Sequence, residues 1–187
     1  MDHIEHYLSE LKITLDTLDL KAVQQAREWV GEIRSEGRQL FLCGNGGSAA
    51  TASHLANDLG KGASYGRPQA SRFRVVALTD NVPWMTALAN DVGYEAIFAE
   101  QLRNLGQAGD LLIAISGSGN SPNVLNAVQV AREQGMRTIG WCGFGGGKLA
   151  TAVDLPVVVS SQHMGRVEDV HAIMMHLVCY YFMERES

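Results

Sequence analysis

Residues 110–128 read DLLIAISGSGNSPNVLNAV: a short apolar run, a loop of Gly, Ser and Asn, then a stretch led by Pro122. A strand buried on both faces appears in sequence as a near-continuous apolar run, and in a parallel sheet each such strand is followed by a crossover helix. The run DLLIAIS (110–116) and the helical stretch at 121–135 form one such βα unit. Working outward, the same grammar recurs at QLFLCG (39–44), RVVALT (74–79) and RTIGWCG (137–143), with DLPVVVS (154–160) as a fifth run. Further helical stretches are expected at 48–60, at 82–105 with a break near Asp91-Val92-Gly93, and at 165–185. With no fixed-period repeat and no linker, the pattern predicts an α/β fold: a three-layer α/β/α sandwich on a five-stranded parallel sheet.

Ahead of the first strand, Ile4, Leu8, Leu11, Leu15 and Leu18 recur at steps of three and four. Val23, Ala26, Val30 and Ile33 do the same in a second stretch up to about Gly37. Two additional N-terminal helices exceed what one sheet face needs, so they pack either on the domain core or on a partner subunit. The division is therefore a helical pair at 1–37 and an α/β core at 38–187 within one domain.

Composition removes several function classes. The chain has 187 residues with Lys+Arg 15 against Asp+Glu 20, so it lacks the basic excess of a duplex-binding module and no direct nucleic-acid contact is expected. At 46% hydrophobic residues it is not a disordered chain. Cys43, Cys142 and Cys179 are widely spaced with no zinc-finger pairing, which suggests buried thiols in a reducing compartment. MDHIEHYLSELK at the start is charged rather than apolar, and no run reaches the roughly 18 residues of a membrane span. The expectation is a soluble, cytoplasmic protein without membrane contact.

Glycine stands out, at 20 residues with only 4 prolines. Many fall at strand ends: Gly44-Asn45-Gly46-Gly47-Ser48, Ser116-Gly117-Ser118-Gly119-Asn120-Ser121 and Gly143-Phe144-Gly145-Gly146-Gly147. Ligands of open α/β sheets bind outside those ends. Backbone N–H groups, serine hydroxyls and a helix N-terminus can hold a phosphate there without Lys or Arg. GNGGS fits neither the dinucleotide nor the Walker fingerprint, and a tight βα turn is its other reading. In the second loop Ser121-Pro122 reads as N-cap and first helical residue, leaving Ser116 and Ser118 for a ligand.

Two helices bring acid–base groups. His54 and Asp58 are i and i+4, and Glu168 and His176 are two turns apart on one stripe of the last helix. A His and a carboxylate suit proton transfer between adjacent carbons, and two of each would also suit zinc. Taken singly, each imidazole is equally readable as a surface or core residue, the class in which His3, His6, His163 and His171 are placed. Asp80 reads as a pocket carboxylate or as a helix N-cap, and Lys61 as an anion contact or a helix C-terminal charge.

GNGGSAATASHLANDL, ALTD, ALANDVGYEAIFAEQL and AISGSGNSPNVLNAV together resemble the sugar isomerase (SIS) domain family, and within it the phosphoheptose isomerases. The resemblance spans nearly the whole chain. It implies an enzyme converting sedoheptulose 7-phosphate to D-glycero-D-manno-heptose 7-phosphate by enediol proton transfer. It implies phosphate binding by Ser116, Ser118 and Ser121, and sugar contacts from Asn45, Gly46, Gly47, Ser48, Asp80, Asp91 and Glu168. It further implies zinc on His54, Asp58, Glu168 and His176, with His176 and Asp58 as catalytic acid/base. Asp58 stands where the family carries Glu, and Glu168 where it carries Gln. The resemblance also implies a homo-oligomer, a tetramer with sites between subunits. Relatives that bind a replication initiator or sense sugar phosphates supply the alternative of a non-catalytic binding protein, and isomerisation of another sugar phosphate is a third reading.

Overall fold

The computed structural model describes residues 2–184. Five parallel strands, β1 Gln39–Gly44, β2 Arg74–Ala77, β3 Leu111–Ser116, β4 Arg137–Cys142 and β5 Leu155–Val158, form one sheet in the order β2-β1-β3-β4-β5. From β1 the chain crosses to β2 at one edge, then returns to lay β3, β4 and β5 on the other side of β1. The topology therefore reverses between β1 and β3, and their carboxyl ends border the crevice that such a reversal opens. Pro156 sits in β5 at the opposite edge, where a missing N–H costs no ladder bond.

Strand alternation sorts the core. Leu40, Leu42, Ile113, Ile115 and Trp141 face the helices α2 Leu20–Ser35, α3 Gly47–Asn57 and α8 Met164–Glu184. Phe41, Cys43, Leu112 and Ala114 face α5 Ala99–Leu105 and α6 Pro122–Glu133. Ile113 is fully buried, so truncating it to Ala would cost about 2–5 kcal/mol. The expected break in the 82–105 stretch is present: α4 Val82–Asp91 ends before Gly93, whose φ of 140° reverses the chain into a 3-10 turn at Tyr94–Ala96. A four-residue helix, α7 Leu149–Ala152, lies between β4 and β5, where no helical stretch is expected. The expected end of α8 at residue 185 lies outside the described residues.

Both helices of the pair pack on the domain core, to different depths. Asp19 caps α2 by accepting from the Lys21 and Ala22 N–H groups, and Val23, Ala26, Val30 and Ile33 are buried in the core. α1, His3–Asp16, buries Thr14, while Ile4 and Leu8 are 65% and 50% exposed. Leu11 and Leu15 pack it against the core, and polar contacts add to this: the Tyr7 hydroxyl donates to Asp169 at 2.7 Å, and Arg166 reaches Glu10 at 3.5 Å. All three cysteines are free and buried, and burial pushes the Cys43 thiol up to about 12 and Cys142 to about 11. Among the described residues no helix is long and apolar enough to cross a membrane.

Candidate active site

At the reversal between β1 and β3 lies a cavity of about 260 Å³, lined by Asn45, Gly46, Gly47 and Ser48 on one side and Ser116, Gly117, Ser118 and Ser121 on the other. Met164 and Glu168 of α8 close its end. Eight of the expected substrate contacts thus share one wall or another of this space. Ser121 occupies the N-cap position of α6 with Pro122 behind it, yet its hydroxyl makes no capping bond. Instead its Oγ pairs with Ser116 Oγ at 3.1 Å. With the cap role vacated, Ser116, Ser118 and Ser121 all line the cavity at the N-terminus of α6, the positive end of that helix.

Two glycines shape the walls by necessity. At Gly119, φ is 65° and a Cβ would fall 2.0 Å from the Gly146 carbonyl oxygen, so the serine loop is pressed directly on the 143–147 loop. A Cβ on Gly47 would sit 2.4 Å from a carboxylate oxygen of Glu168. That close approach places the Glu168 carboxylate at the N-terminus of α3, where the helix dipole favours an anion. The third glycine loop, expected to help cradle the ligand, has a different task. Gly143 N–H donates to Gly117 O at 2.9 Å, Leu149 N–H to Gly119 O at 2.9 Å and Lys148 N–H to Asn120 Oδ1 at 3.2 Å. It braces the serine loop from behind, and residues 143–147 are not among those lining the cavity.

Farther along α3 and α8, His54, Asp58 and His176 gather. One potential ligand atom from each lies within 4.8 Å of the others, His54 Nε2 is 3.4 Å from Asp58 Oδ2, and the two imidazoles stand edge to face with centroids 5.2 Å apart. Asp58 is the first residue of a π-helical turn, Asp58–Gly62, that continues α3. The wider turn is a common local device at functional sites. Two imidazoles and a carboxylate are the donor types of an open catalytic zinc site. Ligands at ~2.1 Å from zinc in a tetrahedral arrangement lie about 3.4 Å apart, so closing the trio on the ion takes side-chain movement of roughly 1 Å. Glu168 does not join them: two turns up α8, about 12 Å by helical rise, it faces Gly47.

The remaining expected residues are placed as follows. Asp80 accepts from the Ser53 and Thr79 hydroxyls, holding α3 to the end of β2. The cap of α4 is its neighbour Asn81, bonded to Trp84 N–H at 3.2 Å. Asp91 ends α4, exposed and paired with Asn90 at 2.7 Å. Lys61 is exposed on the π turn. His3, His6 and His163 are exposed, whereas His171 is buried beside Trp141, and burial pushes its pKa down to about 4. Two residues of the crevice were not singled out from sequence. Asn123 and Tyr94 both bond to Asn45, contacts spanning 78 and 49 positions for which a single sequence has no local signal.

A doubly wound parallel sheet with a Gly/Ser-rich crevice at its switch point, free of Lys and Arg, is the architecture of a phosphosugar-binding class of α/β domain. The chain belongs to the SIS domain family, whose model matches residues 5–143. It is 40% identical over 179 residues to a phosphoheptose isomerase of Roseiflexus sp. (strain RS-1), covering 96% of this chain and 89% of that protein. The solved phosphoheptose isomerase of Neisseria gonorrhoeae superposes with a TM-score of 0.86 at 32% identity, covering 96% of each chain. That of Francisella tularensis gives 0.88 at 29% identity, covering 98% of this chain and all of the other.

Proposed function

We propose that this protein is an aldose–ketose isomerase that converts sedoheptulose 7-phosphate to D-glycero-D-manno-heptose 7-phosphate. The observation that carries the reading is the pairing of the serine-lined cavity with the His54–Asp58–His176 trio along one α3–α8 seam. The Ser116, Ser118 and Ser121 hydroxyls donate to the phosphate oxygens, and the N-terminus of α6 offsets their charge without a lysine. Asn45, Ser48 and Glu168 face the polyol, with Asp80 and Asp91 at its margin.

In this reading Asp58 and His176 take a proton from one carbon and return it to its neighbour through an enediol. His54, Asp58 and His176 hold zinc in this reading, and the ion would supply Lewis-acid polarisation of the sugar's carbonyl and hydroxyl oxygens. A homo-oligomer, a tetramer with sites between subunits, is supported by the exposed Ile4, Leu8 and Ile13 of α1. An open groove of about 580 Å³ beside His176, walled by Arg27, Leu177, Tyr180 and Tyr181, supports it too. The buried free thiols accord with a cytoplasmic location.

The test is conversion of sedoheptulose 7-phosphate by purified protein, with metal content measured in parallel. Turnover abolished by chelation and restored by zinc is expected. Tight binding of the sugar phosphate without turnover would instead identify a non-catalytic binding protein, and neither binding nor turnover would reject the substrate.

A further inference from the structure

Asn45 stands in the wall between the serine-lined cavity and a second, largely apolar cavity of about 200 Å³ beside Met85, Ala89 and Phe98. Its carboxamide is held on both atoms. Asn45 Nδ2 donates to Asn123 Oδ1 at 2.9 Å, and Asn123 Nδ2 donates back to Asn45 Oδ1 at 2.8 Å. Such a reciprocal pair is symmetric, so by itself it would tolerate both amides flipping together. A backbone donor breaks the symmetry. Val124 N–H, shared with Ser121 O, points at Asn123 Oδ1 at 3.0 Å, and an N–H can only donate. That fixes Asn123, which is 2% exposed, and through it Asn45. The Tyr94 hydroxyl then donates to the same Asn45 Oδ1 at 3.0 Å.

We propose that Asn123 and Tyr94 are positioning residues that lock the Asn45 carboxamide with its oxygen saturated and its second N–H free to donate to a sugar oxygen in the serine-lined cavity. This inference rests on the sugar-phosphate reading above. Asn45 Oδ1 accepts two donors, and Nδ2 has spent one of its two hydrogens, so the residue reaches the ligand as a donor. Its rotamer is set before the ligand arrives, which removes an ordering cost from binding. Asn123 is itself the second residue of α6, the helix headed by the serine loop. Both halves of the cavity are thereby joined through one amide pair.

The experiment uses Tyr94→Phe, a substitution at a half-exposed hydroxyl that leaves the ring in place, with Asn45→Ala, Asn123→Ala and the Tyr94→Phe/Asn45→Ala pair. For sedoheptulose 7-phosphate, Tyr94→Phe is expected to raise KM about threefold to tenfold with kcat nearly unchanged, the effect of one hydrogen bond. Asn123→Ala should raise it further. On the Asn45→Ala background Tyr94→Phe should add nothing, because its path runs through Asn45. Equal effects of Tyr94→Phe on both backgrounds would overturn the proposal. Should the wild type not act on this sugar, the isomerase reading alone falls. The side-chain amide resonances of Asn45 then decide the positioning. Tyr94→Phe must shift them more than those of other asparagines outside the pair, and unshifted resonances reject the lock.

Discussion

The two halves of the site are built on opposite principles. The serine cavity is made of loops braced on one another, with backbone amides and small hydroxyls as its chemistry, and its shape is set by positions such as Gly119 where no Cβ fits. The His54–Asp58–His176 trio is made of side chains on two helices, with His54 half exposed and Asp58 largely buried. One half suits an anion that must be recognised without change. The other suits groups that exchange protons with a reacting carbon. Backbone and small hydroxyls thus build one half, and long titratable side chains the other.

The division is broken most directly at the trio. His176→Ala should lower kcat by about 10²–10⁴-fold, the worth of a general acid–base group, while KM for the sugar phosphate changes little; steady-state kinetics check both. A fall confined to KM would place His176 in binding instead.

His171, on the core side of α8 between Glu168 and His176 and beside Trp141, supplies the next effect. Its folded pKa of about 4 lies below the ordinary ~6.5 of the unfolded chain. Between those values the unfolded state binds more protons, so its contribution to stability is complete above pH 6.5 and is lost as pH falls toward 4. The loss should approach about 3 kcal/mol. Urea midpoints of wild type and His171→Leu across this window measure it, the variant showing the shallower decline. Parallel curves would show that His171 is not the titrating group.

Smaller effects sharpen the cavity. Ser121→Ala should change unfolding free energy by no more than about 0.5 kcal/mol, since its hydroxyl does not cap α6, while weakening phosphate-ester binding about fivefold to tenfold. An ordinary cap would show the reverse. Smallest is Glu168→Gln, expected to change affinity for the sugar phosphate only about twofold to threefold, upward as a negative charge is removed from the cavity edge; isothermal calorimetry at low salt resolves it.

Much of this architecture is visible in the chain alone. Parallel strands buried on both faces leave apolar runs, so 39–44 and 137–143 announce β1 and β4 almost to the residue. Serine crowding marks the anion loop because three hydroxyls in six positions exceed what one cap requires. What stays hidden depends on distance in three dimensions. Nothing local separates Glu168 from the His176 it shares a stripe with, since only the packing of α3 against α8 aims one at Gly47 and the other at His54. Likewise 143–147 looks like a second cradle, because a bracing loop and a binding loop need the same glycines. The α1 stripe has full helical periodicity, yet periodicity marks an apolar face without naming what covers it.

The carboxylate of Glu168 against Gly47 gives the cavity a direction. Its serine end offers donors and the α6 dipole, its other end a fixed negative charge. A sugar phosphate entering phosphate-first toward Glu168 meets repulsion, whereas one entering the other way meets hydrogen-bond acceptors suited to its hydroxyls. The pocket is thus polar along its length, with donors at the serine end and an acceptor carboxylate against Gly47 at the other.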